Sequence, residues 1–220
     1  MTSLGLARRA VGEDAIPSFR RVSATSELDA LFEDVVNVVV LRRSLATALR
    51  AEAQVVSSLV DGRSLSVVNL EGGGEEVFAS TLSGLPEMKA EILRWSNVLG
   101  DLTGCQQVGV RLARVEEAMC PRFHVDHVLL RVVCTFEGAG TQFLAEADVD
   151  RRWLGHAAEG RPDEVSGLLC AGAQIHQAEV GDVVFLKGES WPGNGGRGAV
   201  HRSPRATAKE HRLVMTLDAL

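Results

Sequence analysis

The residues best suited to chemistry lie in one short run, Cys120-Pro121-Arg122-Phe123-His124-Val125-Asp126, and at two positions far downstream, His201 and Arg212. Two imidazoles and one carboxylate on one side of a metal leave coordination positions open, as in non-haem iron(II) sites, and the same donor types accept zinc. A guanidinium such as that of Arg212 suits a bidentate contact with a carboxylate ligand. Read as a strand, the run turns alternate side chains to one face. Cys120, Arg122, His124 and Asp126 are then expected to point together into a cavity, with His127 turned outward. This makes His124, Asp126 and His201 the candidate metal ligands and Arg212 the candidate contact for a carboxylate ligand. Cys120 is a candidate fourth ligand, which would close the site as a Cys-His-Asp-His zinc centre. Arg122, Lys187 and Trp191 are candidate substrate-pocket residues. Each has a plainer alternative: an ion pair for Arg122, a snorkelling surface position for Lys187, core cover for Trp191.

A His-x-Asp by itself is a weak pattern. It gains weight from order. Val180-Gly181-Asp182 turns into the apolar strand Val183 to Lys187, a Gly-rich loop returns to His201, and a last strand follows Arg212. These elements would carry the distal histidine and the arginine to the His-x-Asp run.

The remaining elements must support that cavity. Short strand-like runs are expected at Gln107 to Val115, Phe123 to Phe136, Gln142 to Ala147, Gln174 to Ala178, Val183 to Lys187 and Leu213 to Leu217, separated by Gly, Pro and Asp. Many short, closely spaced strands argue for a sandwich or jelly roll. Upstream, Leu28 to Phe32 suggests a short helix and Val35 to Leu41 a buried strand. Ser44 can cap a helix running to about Leu59, with Leu45, Ala48, Leu49, Val55, Val56 and Leu59 on its apolar stripe and Glu52 interrupting it. Leu65 to Leu70 reads as a strand. Pro86 opens a second helix that Gly100 is expected to stop. Arg151 to Cys170 is the expected lid or excursion. Residues 1–26 read as a mobile arm and 27–220 as a single domain, with 27–104 as a helix-and-strand support and 105–220 as the metal-binding core. The fold class expected is mainly β with N-terminal helices (α+β), a double-stranded β-helix of jelly-roll or cupin type.

Composition narrows the partners. A net charge of −6 gives neither nucleic acid nor an anionic membrane an electrostatic reason to bind. No apolar run approaches the roughly 18–20 residues of a membrane span, and no apolar stretch follows Arg8-Arg9 as a secretory leader would require. Gly72-Gly73-Gly74 lacks the Gly-Lys-Ser/Thr of a phosphate loop. Cys105, Cys120, Cys134 and Cys170 form no CxxC pair, which fits a reducing, cytoplasmic compartment. A small-molecule substrate or cosubstrate is the expected partner. A homodimer is compatible with the fold class, although no apolar stripe demands one.

The strings CPRFHVDHVLLRVVCTFEGAGTQFL, GDVVFLKGESWPG and HRSP…HRLVMTLD resemble a bacterial family known as a domain of unknown function, and the likeness covers most of the chain. That resemblance implies an association with metal-homeostasis genes. More distantly, the same positions resemble the iron(II)/2-oxoglutarate dioxygenases. This likeness implies that His124, Asp126 and His201 hold iron and that Arg212 binds the 2-oxoglutarate carboxylate. It departs from the dioxygenase pattern two residues after Arg212, where Val214 stands in place of a frequent Ser. The function expected is an iron(II)-dependent, 2-oxo-acid-using oxygenase. The alternatives are a zinc-binding protein of metal homeostasis without turnover, and a cupin-like small-molecule binder.

Overall fold

The computed structural model describes residues 18–72, 78, 80–204 and 211–220. Strands β1 (Phe19–Val22), β2 (Val38–Leu41) and β3 (Arg63–Asn69) alternate with helices α1 (Thr47–Leu59) and α2 (Pro86–Thr103). After α2 the chain is almost entirely extended: β4 (Gln107–Val115), β5 (Leu130–Glu137), β6 (Gln142–Leu144), β7 (Ile175–Gln177), β8 (Val183–Lys187), β9 (His201–Arg202) and β10 (Arg212–Ala219). Seven strands form one sheet in the order β1-β2-β8-β5-β10-β4-β3, and β7-β6-β9 form a second. Among the described residues only the β1–β2 pair is parallel. The fold is therefore mainly β with few helices. No helix among the described residues is long and apolar enough to cross a membrane.

The large sheet has two differently covered faces. Val110 and Leu112 of β4, with Leu213, Met215 and Leu217 of β10, pack beneath α1 and α2 against the fully buried Met88, Ile92, Trp95 and Leu99. On the opposite face Ala113, Val115, Val133, Val184 and Val214 meet Phe143, Ala178 and Ala199 of the small-sheet side. The period of two along each strand then forces a consequence. Arg111 shares the inner face with Ala113, and Arg212 and Thr216 share it with Val214, so polar side chains are carried between the sheets.

Several elements end elsewhere than the sequence predicts. Phe19–Val22 is not part of a mobile arm. It adds a parallel edge strand, with Phe19 edge-on to Phe143 and Arg20 paired with Glu33; four residues are too short to show periodicity. Residues 1–17 of the expected arm, and Gly73-Gly74, lie outside the described residues. Helix α1 starts at Thr47 after Ala46, with no side-chain cap, so Ser44 does not cap it. Its buried face is Leu49, Ala53, Val56 and Ser57, while Val55 and Leu59 are exposed. Glu52 has a different task from interrupting a stripe: its carboxylate accepts the Met88 N–H at 2.8 Å, a negative charge placed on the first turn of α2. Helix α2 passes through Gly100 and ends at Gly104, whose φ of 74° closes it. Gly100 is buried instead because a Cβ there would lie 2.3 Å from the Leu70 side chain. The predicted strand Phe123 to Phe136 begins only at Leu130. The segment from Cys120 to Leu129 is irregular, and a bridge between His124 and His201 is its one β-pairing among the described residues.

Candidate metal centre

The centre begins with that bridge. His124 and His201 exchange backbone hydrogen bonds of 3.0 Å in both directions, and their rings lie side by side with centroids 4.5 Å apart. Each imidazole is oriented by its own chain: Nδ1 of His124 donates to the Arg122 carbonyl and Nδ1 of His201 to the Ala199 carbonyl, both at 3.0 Å. A carbonyl oxygen only accepts, so the proton of each neutral ring sits on Nδ1 and the Nε2 lone pair is free. Both Nε2 atoms face Asp126, at 3.6 Å from Oδ1 for His124 and 3.1 Å from Oδ2 for His201. One ligand atom from each of the three residues lies within 4.8 Å of the others.

Electrostatics suit this donor set to a cation. Burial and the neighbouring His201 hold His124 below the ordinary histidine value, which keeps it a neutral ligand. Burial alone pushes Asp126 up, but the His201 hydrogen bond and the charges of His201 and Arg131 outweigh it and hold the carboxyl far below its usual range. That hold on Asp126 requires a proton on His201 Nε2 as well; with the ring neutral, a nitrogen lone pair faces a carboxylate lone pair at 3.1 Å. That contact is repulsive unless a cation, either a metal or a second proton, lies between them. The residues present therefore fit a metal ion.

The supports of the centre come from distant parts of the chain. Arg131 Nη1 donates to Asp126 Oδ2 at 2.6 Å, while its other nitrogens hold Asp218 at 2.6 and 2.8 Å. Such partners orient a ligand and commonly matter nearly as much as the ligand itself. The buried Asp163 accepts from the Phe123 N–H and from Arg202 Nη1, both at 2.9 Å, tying together the residues adjacent to His124 and His201. Gly188 lets the end of β8 run under the Asp126 turn. Gly188 N–H donates to the Leu129 carbonyl and Glu189 N–H to the Asp126 carbonyl. A Cβ on Gly188 would lie 1.8 Å from the Val128 oxygen and 2.9 Å from that of Asp126. Gly188→Ala is accordingly expected to displace the Asp126 turn and to weaken metal binding about 10–100-fold, the range seen when supports of ligands are lost. Competition with a metal chelator measures this, and unchanged affinity would show that the turn yields without moving the carboxylate.

The other predicted positions separate. Arg212 reaches the same cavity as His124 and His201. It is buried, and its Nη2 donates to Thr135 Oγ1 at 3.2 Å, but its Nε has no acceptor among the described residues. No acid among them pairs with it, and burial brings its pKa down to about 10. Gly138, with φ of 76°, makes room for it, since a Cβ there would meet the Arg212 side chain at 2.8 Å. Cys120 lines the cavity but is exposed and lies outside the three-residue donor cluster. Because the run is irregular, strand parity does not hold. Arg122 turns away to the Arg161 carbonyl at 2.8 Å and toward Asp163 at 3.8 Å. Lys187 is buried, donating to the Glu33 carbonyl at 3.0 Å beneath the Trp191 ring. Neither it nor Trp191 lines the cavity. Segment 151–170 forms short 3-10 turns and supplies Asp163, so it braces the site from outside.

The architecture is similar to those of several solved dioxygenases. The dioxygenase for auxin oxidation 1 of Arabidopsis thaliana, solved with 2-oxoglutarate, is similar over 92% of this chain and 92% of its own, with a TM-score of 0.54 and 11% identity. The rice dioxygenase for auxin oxidation gives a TM-score of 0.52 at 12% identity, covering 92% of this chain and 83% of its own. The Fe(II)/α-ketoglutarate-dependent dioxygenase TqaL gives 0.52 at 9% identity, over 88% and 85%. At such identities the likeness is one of fold. A search of curated proteins finds no match. Residues 23–218 match the family described as protein of unknown function DUF1826, and the chain belongs to that family.

Proposed function

We propose that this protein is an iron(II)-dependent oxygenase that uses 2-oxoglutarate or a similar 2-oxo acid on a small-molecule substrate. The observation that carries the reading is the pairing of two features: the convergent His124, Asp126 and His201 donors, two of which line a cavity, and on the wall of that cavity the buried Arg212 guanidinium that no acid among the described residues neutralises. We read the strand order β8-β5-β10-β4, facing β7-β6-β9 and the His124 bridge, as a double-stranded β-helix. In that reading His124, Asp126 and His201 would hold the metal. When bound, iron(II) would supply dioxygen activation, with electrons drawn from the 2-oxo acid. The chain's own residues would do the rest. Arg212 and the Thr135 hydroxyl would bind the distal carboxylate of the cosubstrate. The inner-face Val133 and Val214 would exclude water, and Arg131 would keep Asp126 ionised and aimed.

The same ligand types accept zinc, and Cys120 at the cavity wall is what favours a closed zinc site. Its position outside the donor cluster weighs against that alternative. Anaerobic titration decides between them. Iron(II) and 2-oxoglutarate together are expected to give a weak visible charge-transfer band that neither gives alone. Absence of the band, with zinc bound tightly and lost in Cys120→Ala, would replace the oxygenase reading by the zinc one.

A further inference from the structure

The chain carries a net charge of −6, yet the cavity beside the donor cluster is lined by Arg111, Arg131, Arg202 and Arg212 and by no Asp or Glu among the described residues. Two of these cations are neutralised from behind. Arg131 is held by Asp126 and Asp218, and Arg202 by Asp163 and Glu164. Arg212 has the deep position assigned above. Arg111 remains. It makes no ion pair or side-chain hydrogen bond among the described residues, and its Nε is buried without an acceptor. A buried donor left unmet is costly, so this guanidinium suits an acceptor beyond those that the described residues provide.

Its place in the sheet separates it from Arg212. Arg111 stands opposite Thr216 on β10, whereas Arg212 stands opposite Val115. Four residues of strand put their backbones about 13 Å apart, so the two guanidiniums enter the cavity from separate points of the sheet. On its other side Arg111 is paired with Leu65 of the edge strand β3, and Leu65 and Val67 are both exposed on that shared face. Met119, also exposed, lies on the cavity wall. A guanidinium with no counter-ion among the described residues, next to exposed apolar side chains, is complementary to an amphipathic anion.

We propose that Arg111 docks the anionic head, carboxylate or phosphate, of a primary substrate whose body is apolar and lies along Leu65 and Val67. The assignment rests on the oxygenase reading for the word substrate; the anion site itself does not. The test uses calorimetric titration with octanoate, octyl phosphate and 1-octanol. It is run on protein loaded anaerobically with iron(II) and 2-oxoglutarate, and in parallel on metal-free protein. At least one anion is expected to bind the wild type about tenfold or more tighter than 1-octanol, and the preferred head distinguishes carboxylate from phosphate. Arg111→Gln is expected to reduce that anion to the level of the alcohol, and Arg111→Lys to give an intermediate value. Both variants should leave 2-oxoglutarate affinity unchanged, while Arg212→Gln should do the reverse. The proposal is overturned if neither anion binds, if the alcohol binds equally well, if Arg111→Gln leaves anion affinity intact, or if it weakens 2-oxoglutarate instead. Failure of the wild type to take up iron(II) or 2-oxoglutarate, with Arg111-dependent anion binding retained in metal-free protein, would remove the oxygenase reading and leave the anion site standing.

Discussion

Replacing His201 with alanine is expected to lower metal affinity on the order of 100-fold while the protein stays folded. The magnitude follows from structural zinc sites, where roughly 10–16 kcal/mol is shared among four ligands, or about 3 kcal/mol for each. The loss should be specific because of how the centre is held. The backbone exchange between His124 and His201 does not depend on the imidazole. Arg131 keeps its two bonds to Asp218 whatever happens at the metal, and Asp163 still ties Phe123 to Arg202. The variant also removes the 3.1 Å contact with Asp126, so the metal-free protein loses little more than a side-chain contact. Elemental analysis of protein purified anaerobically without chelators, followed by competition titration, measures the effect. A His201→Ala protein with full metal stoichiometry and unchanged affinity would eliminate both the iron and the zinc interpretations. His124→Ala should behave alike, since its Nε2 faces the other oxygen of the same carboxylate.

The three donor residues were legible from their types and order, but the reason first given for their convergence was incomplete. A regular strand from Phe123 would have put Cys120 and Arg122 on the donors' face. The structure instead places this run in an irregular segment, where single contacts decide each side chain, and Arg122 follows Asp163 outward. The supports of the site were not legible for a related reason. Arg131 and Asp218, or Asp163 and Arg202, are joined only through tertiary pairing, and no local spacing records it. The helix ends show the same limit. Gly100 and Gly104 are both plausible stops, and the Leu70 side chain, from another element, assigns the first of them to packing. By contrast β4 and β8 have the bounds the sequence predicts, and β10 extends the predicted Leu213 to Leu217 to Arg212–Ala219, because strands buried in a central sheet write continuous or alternating apolar runs into the sequence.

Arg212 yields the most discriminating experiment, because the site reading predicts opposite effects on stability and on binding. Burial brings its pKa well below the ordinary guanidinium value, to about 10, which corresponds to a penalty on the order of 3 kcal/mol for keeping the guanidinium charged in the folded state. Arg212→Met, of similar length and without charge, is therefore expected to stabilise the metal-free protein by about 1–3 kcal/mol, or roughly 2–4 °C of melting temperature per kcal/mol for a chain of this size. The unfolded chain holds this proton more tightly than the folded one. The penalty is thus fully present below about pH 10 and fades as pH rises beyond it toward the unfolded-chain value, so the advantage of Arg212→Met should be constant through neutral pH and shrink only in strong alkali. A bound dicarboxylate reverses the balance by supplying the missing counter-charge. With metal and 2-oxoglutarate at about 100 times its dissociation constant, the wild type should gain about 2.7 kcal/mol, while Arg212→Met should gain nothing from the 2-oxo acid. Anaerobic thermal denaturation with and without 2-oxoglutarate reads both effects in one series. A variant less stable than the wild type would show that Arg212 is a structural cation satisfied within the fold. A variant that retained the full 2-oxoglutarate shift would place the cosubstrate carboxylate elsewhere.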